Sequence, residues 1–219
     1  MTRPKPYYPI FADLAGRRCV VVGGGLIAER KVSTLVSYGA LVTVVSPSLT
    51  RRLAASARQG RIRHVARRFR TADLRGAWLA YAATDDQAVN EAVSKAGAAR
   101  RIFTNVVDQP ALCSFIAPAI LRRDLLTIAV STGGASPSVA KKVRDELRRS
   151  VAPSYAPMLR LLTGLRTIAK QKLPSYQDRK RYFGQLVDGQ VFALVRAGKP
   201  AAARQAALGL LERHAAEQN

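Results

Sequence analysis

Residues 19–31 read CVVVGGGLIAERK, and this stretch constrains the fold more than any other. Four apolar residues, Cys19 to Val22, run straight into Gly23-Gly24-Gly25 and then Leu26-Ile27-Ala28. The pattern predicts a short buried strand, a tight turn and the first turn of a helix, and it fits G-x-G-x-x-G/A, the dinucleotide-binding fingerprint. Gly23 allows the sharp turn, Gly25 lets the backbone approach a pyrophosphate, and Ala28 is small enough for the helix to pack on the strand. Exposed N–H groups at the helix start, with the macrodipole behind them, favour an anion. Glycines also end strands for purely structural reasons, so the turn needs support from its surroundings.

The flanking pattern gives that support. Residues 1–10 are proline-rich and expected to lie extended, and Phe11–Leu14 with Gly16 forms a turn feeding the first strand. A helix is expected from Leu26 to Ser37, ended by Gly39, then a strand over Leu41–Val45 stopped by Ser46-Pro47. Strand, helix and strand make a right-handed βαβ unit. Trp78–Ala83 reads as a strand ending in Thr84-Asp85-Asp86, followed by a helix from Gln87 to Ala99 capped by Asp85 or Asp86. Ile102–Val107 is another strand, ending at Asp108. The alternation predicts an α/β fold, a Rossmann-like doubly wound parallel sheet with ligands at the carboxyl ends of its strands. Gly23–Gly25, Ser46, Thr84 and Asp108 all fall on that edge. One part of the fingerprint is missing: Ser46-Pro47-Ser48 stand where a ribose-binding acid is expected.

Beyond Asp108 the pattern changes. Ser114–Leu121 and Leu125–Ser131 are β-rich runs joined through Arg122-Arg123-Asp124, which reads as a hairpin. A second glycine turn, Ser131-Thr132-Gly133-Gly134-Ala135-Ser136-Pro137, opens a helix to Ser150, with Ser136 as N-cap and Pro137 as first helical residue. Its N–H groups suit a carboxylate as well as a cap. Pro153 and Pro157 punctuate an all-helical tail with breaks near Pro174 and Gly198. Three regions follow: 1–113, a nucleotide-binding domain; 114–150, a hairpin and helix; and 151–219, a helical C-terminal domain.

Composition narrows the partners. The 219 residues include 36 Lys+Arg against 14 Asp+Glu, a net charge of +22. Such a field attracts polyanions, whether nucleic acid, anionic lipid or a small polycarboxylate. The arginine-dense stretch from Arg51 to Arg75 has only Phe69 to stack a base, and its spacing suits a helix and short strand with arginines on a wet face. Residues 1–140 carry net +12 and 141–219 net +10, so neither part is a distinct basic arm. Cys19 and Cys113 sit in apolar runs and read as reduced core residues, which fits the cytoplasm. No segment has the form of a signal peptide or membrane span, so a soluble protein is expected. His64 and His214 read as surface residues, and no His and Cys cluster has metal-ligand spacing, so no resident metal is expected.

The pieces YYPIFADLAGRRCVVVGGGLIAERK, GALVTVVSP, AATDD, NVVD, SFIAPAILRRDLLTIAVSTGG and SPSVAKKVRDEL, over residues 7–150, resemble the siroheme synthase family in its precorrin-2 dehydrogenase/ferrochelatase branch. The resemblance implies NAD-dependent oxidation of precorrin-2 to sirohydrochlorin, with Fe²⁺ as substrate metal where siroheme is also formed. It implies a homodimer joined by residues after the nucleotide domain, which gives the 114–150 region a dimerisation role. The family's central acid falls on Asp108, as proton acceptor, with Asn105 shaping the same pocket. Cofactor contacts carry over to Gly23, Gly25, Leu26, Ile27, Pro47 and Ser48; Gly24 and Thr84 join them from the strand edge. The missing ribose acid is usual for the family. Ser131, Thr132, Gly133, Gly134 and Ser136 are expected to meet the tetrapyrrole, Thr132 standing where some members have a phosphorylated serine. With the chain ending at Asn219, the methyltransferase domain fused on in some members is expected to belong to another protein.

Two other readings are open at this point. One is a dehydrogenase that leaves iron to a separate chelatase, which the motifs do not distinguish. The other is a Rossmann redox sensor binding nucleic acid, against which stands the lack of a helix-turn-helix module ahead of the nucleotide domain. Arg51 and Arg52 follow the second strand closely enough to meet a 2′-phosphate, leaving NADP open beside NAD.

Overall fold

The computed structural model describes residues 6–216 and divides the chain into two compact units. The first comprises residues up to 117 together with 132–136. It is built on a five-stranded parallel sheet of order β3-β2-β1-β4-β5. The strands are β1 (Arg18–Val22), β2 (Leu41–Val45), β3 (Arg63–Val65), β4 (Leu79–Ala82) and β5 (Phe103–Val106), with helices α1 (Leu26–Ser37), α2 (Arg51–Arg58) and α3 (Gln87–Ala99) between them. Alternate residues of β1 divide between two cores, as a strand covered on both faces requires. Cys19 and Val21 pack with Ala28, Val32 and Leu35 of α1, whereas Val20 and Val22 pack with Val93 and Ala96 of α3.

The helix ends obey the expected chemistry. Gly39 follows α1 with φ +75° and donates to Val36 O at 2.9 Å. Asp86 is the α3 N-cap, accepting from Val89 N at 3.1 Å. Gly97 lets α3 approach β5, because a Cβ there would lie 2.0 Å from Thr104 Oγ1. In the arginine-dense stretch all nine arginines are exposed except Arg67, which is half-buried and paired with Asp73 at 2.6 Å. Both cysteines are buried and neither forms a disulfide. The proline-rich start lies outside the described residues up to position 5; residues 6–10 are irregular.

The second unit holds residues 118–131 and those from 137 onward. Its antiparallel hairpin pairs β6 (Ala119–Arg123) with β7 (Leu126–Val130). The first strand starts later than the apolar run beginning at Ser114, and the turn is Asp124-Leu125 rather than Arg122–Asp124. Ser114 is instead tied to Thr104, through Ser114 N to Thr104 O at 2.8 Å, which draws that segment alongside β5. Helix α4 (Pro137–Ser150) packs on the hairpin, and the Arg123 guanidinium caps its end by donating to Arg148 O and Val151 O.

Four helices follow: α5 (Tyr155–Lys172), α6 (Tyr176–Asp188), α7 (Gln190–Arg196) and α8 (Pro200–Ala216). Breaks occur at Pro174 and Gly198 as expected, but Pro157 lies inside the first turn of α5, where its missing N–H has no helical acceptor to lose. Gly189 adds a break between α6 and α7 that the sequence reading passed over. His214 is also not a surface residue: it is 5% exposed, and its Nε2 lies 2.9 Å from Gln185 Oε1. The Tyr182 ring stands edge-on to it with centroids 6.0 Å apart, a packing invisible without the fold of the tail. His64 is half-buried, with Nε2 2.9 Å from Ser46 O.

Candidate active site

The carboxyl edge of the first unit's sheet gathers most of the expected site. Gly23 takes φ +117°, and a Cβ there would lie 2.1 Å from Ala83 O, so only glycine fits between β1 and β4. Gly24 is equally constrained, its Cβ position lying 1.9 Å from Ser48 O. The fingerprint treats that middle position as free, so the sequence, which placed Gly24 among the cofactor contacts, gave no steric reason for a glycine there. Gly25 has open space around it and no side chain caps α1, so the first N–H groups of that helix are arranged as an anion site requires. Leu26 and Ile27 follow with 67% and 43% exposure, apolar surface suited to a flat ligand.

The strand-edge loops lock onto this turn. Thr50 N donates to Gly24 O at 2.9 Å, bringing the exposed Pro47 and Ser48 against the glycines. Thr84 Oγ1 lies 2.9 Å from Asn90 Oδ1 and 3.1 Å from Asp86 O, and Asn90 Nδ2 donates back to Thr84 O. Thr84 thus fixes the turn between β4 and α3, with its methyl carbon near Gly23.

Asp108 follows β5 with φ +58°, a left-handed conformation that aspartate tolerates better than most residues. It is exposed, on a turn held from behind by Cys113 and Asn105. Cys113 Sγ accepts from Val106 N at 3.2 Å, and Asn105 Nδ2 donates to Phe115 O at 3.0 Å. Asn105 is buried, with its amide nitrogen committed to this scaffold.

Lys31 joins the site although the sequence reading gave it no role. It is half-buried, its Nζ lies 5.0 Å from the centre of the Tyr81 ring, and Tyr81 stacks edge-on against Phe115. Burial lowers the Lys31 ammonium below its usual range, and the charge of Asp108 pulls it back up. The same burial pushes the Tyr81 hydroxyl up to about 12 and the Cys19 thiol to about 11, leaving both protonated at neutral pH. The AERK run at the start of α1 held the signal, but a lysine on a helix reads by default as a solvated charge.

In the second glycine turn, Gly133 and Gly134 take φ +64° and +90° with open space around them, so backbone conformation alone demands glycine. Thr132 Oγ1 donates to Ser136 O at 3.0 Å and accepts from Ser136 N at 3.0 Å, closing the loop. Thr132–Ser136 belong to the first unit, whereas Ser131 belongs to the second and is exposed. Among the described residues, no group of three or more His, Cys, Asp or Glu side chains is placed to hold a metal ion.

The sheet order and the uncapped glycine turn define a protein of the NAD(P)-binding class, and a family model described as putative NAD(P)-binding matches residues 10–119. Models for the sirohaem biosynthesis protein central region and the sirohaem synthase dimerisation region match residues 123–150 and 154–211. With these three matches in chain order, the chain belongs to the sirohaem synthase family. It is 45% identical over 198 residues to the siroheme synthase of Methylobacillus flagellatus, covering 90% of this chain and 42% of that protein. The siroheme synthase of Thioalkalivibrio sulfidiphilus is 41% identical over 91% of this chain and 41% of its own length. The chain thus spans less than half the length of these relatives. Among solved structures, SirC, a precorrin-2 dehydrogenase, superposes with a TM-score of 0.76 at 26% identity, over 93% of this chain and all of that one. The model that names dimerisation matches residues 154–211, within the helical segment from α5 to α8.

Proposed function

We propose that this protein oxidises precorrin-2 to sirohydrochlorin with NAD, and that the same site then inserts Fe²⁺ to give siroheme. The observation that carries the reading is the glycine turn and Asp108 on one sheet edge, with Lys31 of α1 interacting with the carboxylate. The first turn of α1 would bind the pyrophosphate, Leu26 and Ile27 would cover an apolar face of the dinucleotide, and Pro47 and Ser48 would flank its ribose. Thr84 keeps its turn closed beside them. The bound nicotinamide supplies a hydride acceptor.

Dehydrogenation removes a hydride and a proton from the tetrapyrrole. Asp108 takes the proton, and its exposure lets it pass that proton to water before the next turnover. Metal insertion releases two further protons from pyrrole nitrogens as Fe²⁺ enters, and Asp108 accepts these in turn. Iron is substrate here, with the tetrapyrrole nitrogens as its ligands. Ser131, Thr132, Gly133, Gly134 and Ser136 would meet substrate carboxylates through backbone N–H groups, and Asn105 supports the turn carrying the base.

Residues 1–113 would carry the cofactor, while 114–150 and 151–219 serve substrate binding and pairing of two copies into a homodimer. The dimerisation match over 154–211 supports that pairing. Two buried thiols outside any disulfide support a cytoplasmic enzyme. No helix among the described residues is long and apolar enough to cross a membrane.

Asp108→Asn tests the reading. Asparagine tolerates φ +58° but cannot accept the proton. Turnover should fall by about 10²–10⁴-fold with NAD affinity unchanged. A variant oxidising precorrin-2 at the wild-type rate would remove Asp108 from the mechanism.

A further inference from the structure

We infer that Glu29 is a positioning residue for the dinucleotide: through Thr50, its carboxylate clamps the Ser46–Thr50 loop onto the glycine turn. The inference rests on the reading of that turn as the NAD(P) site. An acid in the first turn of a helix ordinarily faces water and complements the macrodipole. Glu29 instead is 15% exposed and turned toward the next loop. Its Oε2 accepts from Thr50 Oγ1 at 2.6 Å, the length of a charge-assisted O–H···O⁻ bond, while Oε1 lies 3.4 Å from the Arg52 guanidinium.

Thr50 is the junction. Its N–H holds Gly24 O at 2.9 Å, its hydroxyl proton goes to Glu29, and the same oxygen accepts from Leu53 N at 3.2 Å as the α2 N-cap. Two residues earlier, Ser48 O occupies the space where a Cβ on Gly24 would stand. The loop and the glycine turn are therefore one interlocked surface, and a shift of the loop changes both walls.

This matters because β2 ends without a ribose-binding carboxylate. The ribose must be held by backbone groups and hydroxyls of the loop, whose value depends on their position to a fraction of an ångström. Glu29 does at one remove what an acid at the end of β2 does directly: it fixes the ribose wall rather than touching the ribose.

The test is calorimetric titration of NAD and NADP into the full chain carrying wild-type, Glu29→Ala, Glu29→Gln, Thr50→Ser or Thr50→Asp sequence, with KM for precorrin-2 measured in parallel. Thr50→Asp keeps an N-cap acceptor but sets a second carboxylate against Glu29. Glu29→Ala and Thr50→Asp should weaken dinucleotide binding by about tenfold or more, as loss of a charge-assisted bond implies. KM for precorrin-2 should move by less than about twofold. Glu29→Gln and Thr50→Ser, which keep the bond, should stay within about threefold of wild type. Should Glu29→Ala fail to fold, the contrast of Thr50→Asp with Thr50→Ser decides on the same figures. Unchanged dinucleotide affinity in the clamp-breaking variants, or an equal loss for precorrin-2, overturns the clamp while leaving the site. A wild-type protein binding neither nucleotide overturns both.

Discussion

Asp73 carries the clearest titration argument in the molecule. The Arg67 hydrogen bonds hold its carboxyl below the ordinary 3.8, with Arg70 N adding a third bond at 2.7 Å. A carboxylate depressed in the folded state contributes stability above its unfolded pKa and loses it as pH falls through the folded value. Asp73→Asn should therefore lower stability by about 1–2 kcal/mol at pH 7, a modest figure because Arg67 is part-exposed and screened. The gap from wild type should close in urea melts as pH falls through the depressed folded-state value. Lys31 invites a different experiment. Lys31→Met keeps the apolar stem over Tyr81 and removes a desolvated ammonium, so thermal stability should hold or rise. Turnover should fall if the charge beside Asp108 serves the reaction, and kcat read against the melting temperature separates the two effects.

At the level of elements, glycine positions make the sharpest predictions. Gly97→Ala would ordinarily favour a helix, but here the new methyl meets the rigid, buried Thr104. The variant should lose about 1–3 kcal/mol, and Gly97→Ala combined with Thr104→Ala should recover much of it. The sheet, its helices and the carboxyl-edge gathering of Gly23–Gly25, Ser46, Thr84 and Asp108 were legible in the sequence, because period and punctuation are local signals. What was not legible depends on distant partners. Gly24 stood among the cofactor contacts, but its steric need for glycine comes from Ser48 O beside it. Lys31 and Glu29 drew no reading of their own, because the residues they meet on β4, after β5 and in the loop after β2 are distant in sequence. The late start of β6 and the burial of His214 likewise follow from segments far along the chain.

Across the whole molecule, net charge sets the approach of substrate. On the proposed function, a protein at +22 should draw a polycarboxylate tetrapyrrole more strongly than the less charged dinucleotide. Raising ionic strength from 0.05 to 0.5 M, round figures spanning the onset of strong screening, should lower kcat/KM for precorrin-2 more steeply than for NAD. Equal slopes would mean that the dispersed arginines act on solubility alone. The central claim, dehydrogenation with iron insertion at one site, is met most directly by a single anaerobic cuvette. Pure protein, precorrin-2 and NAD are followed by absorbance, and Fe²⁺ is then added. Sirohydrochlorin forming only when NAD is present, followed by a protein-accelerated conversion to siroheme, is the predicted result. No oxidation with either NAD or NADP would contradict the account.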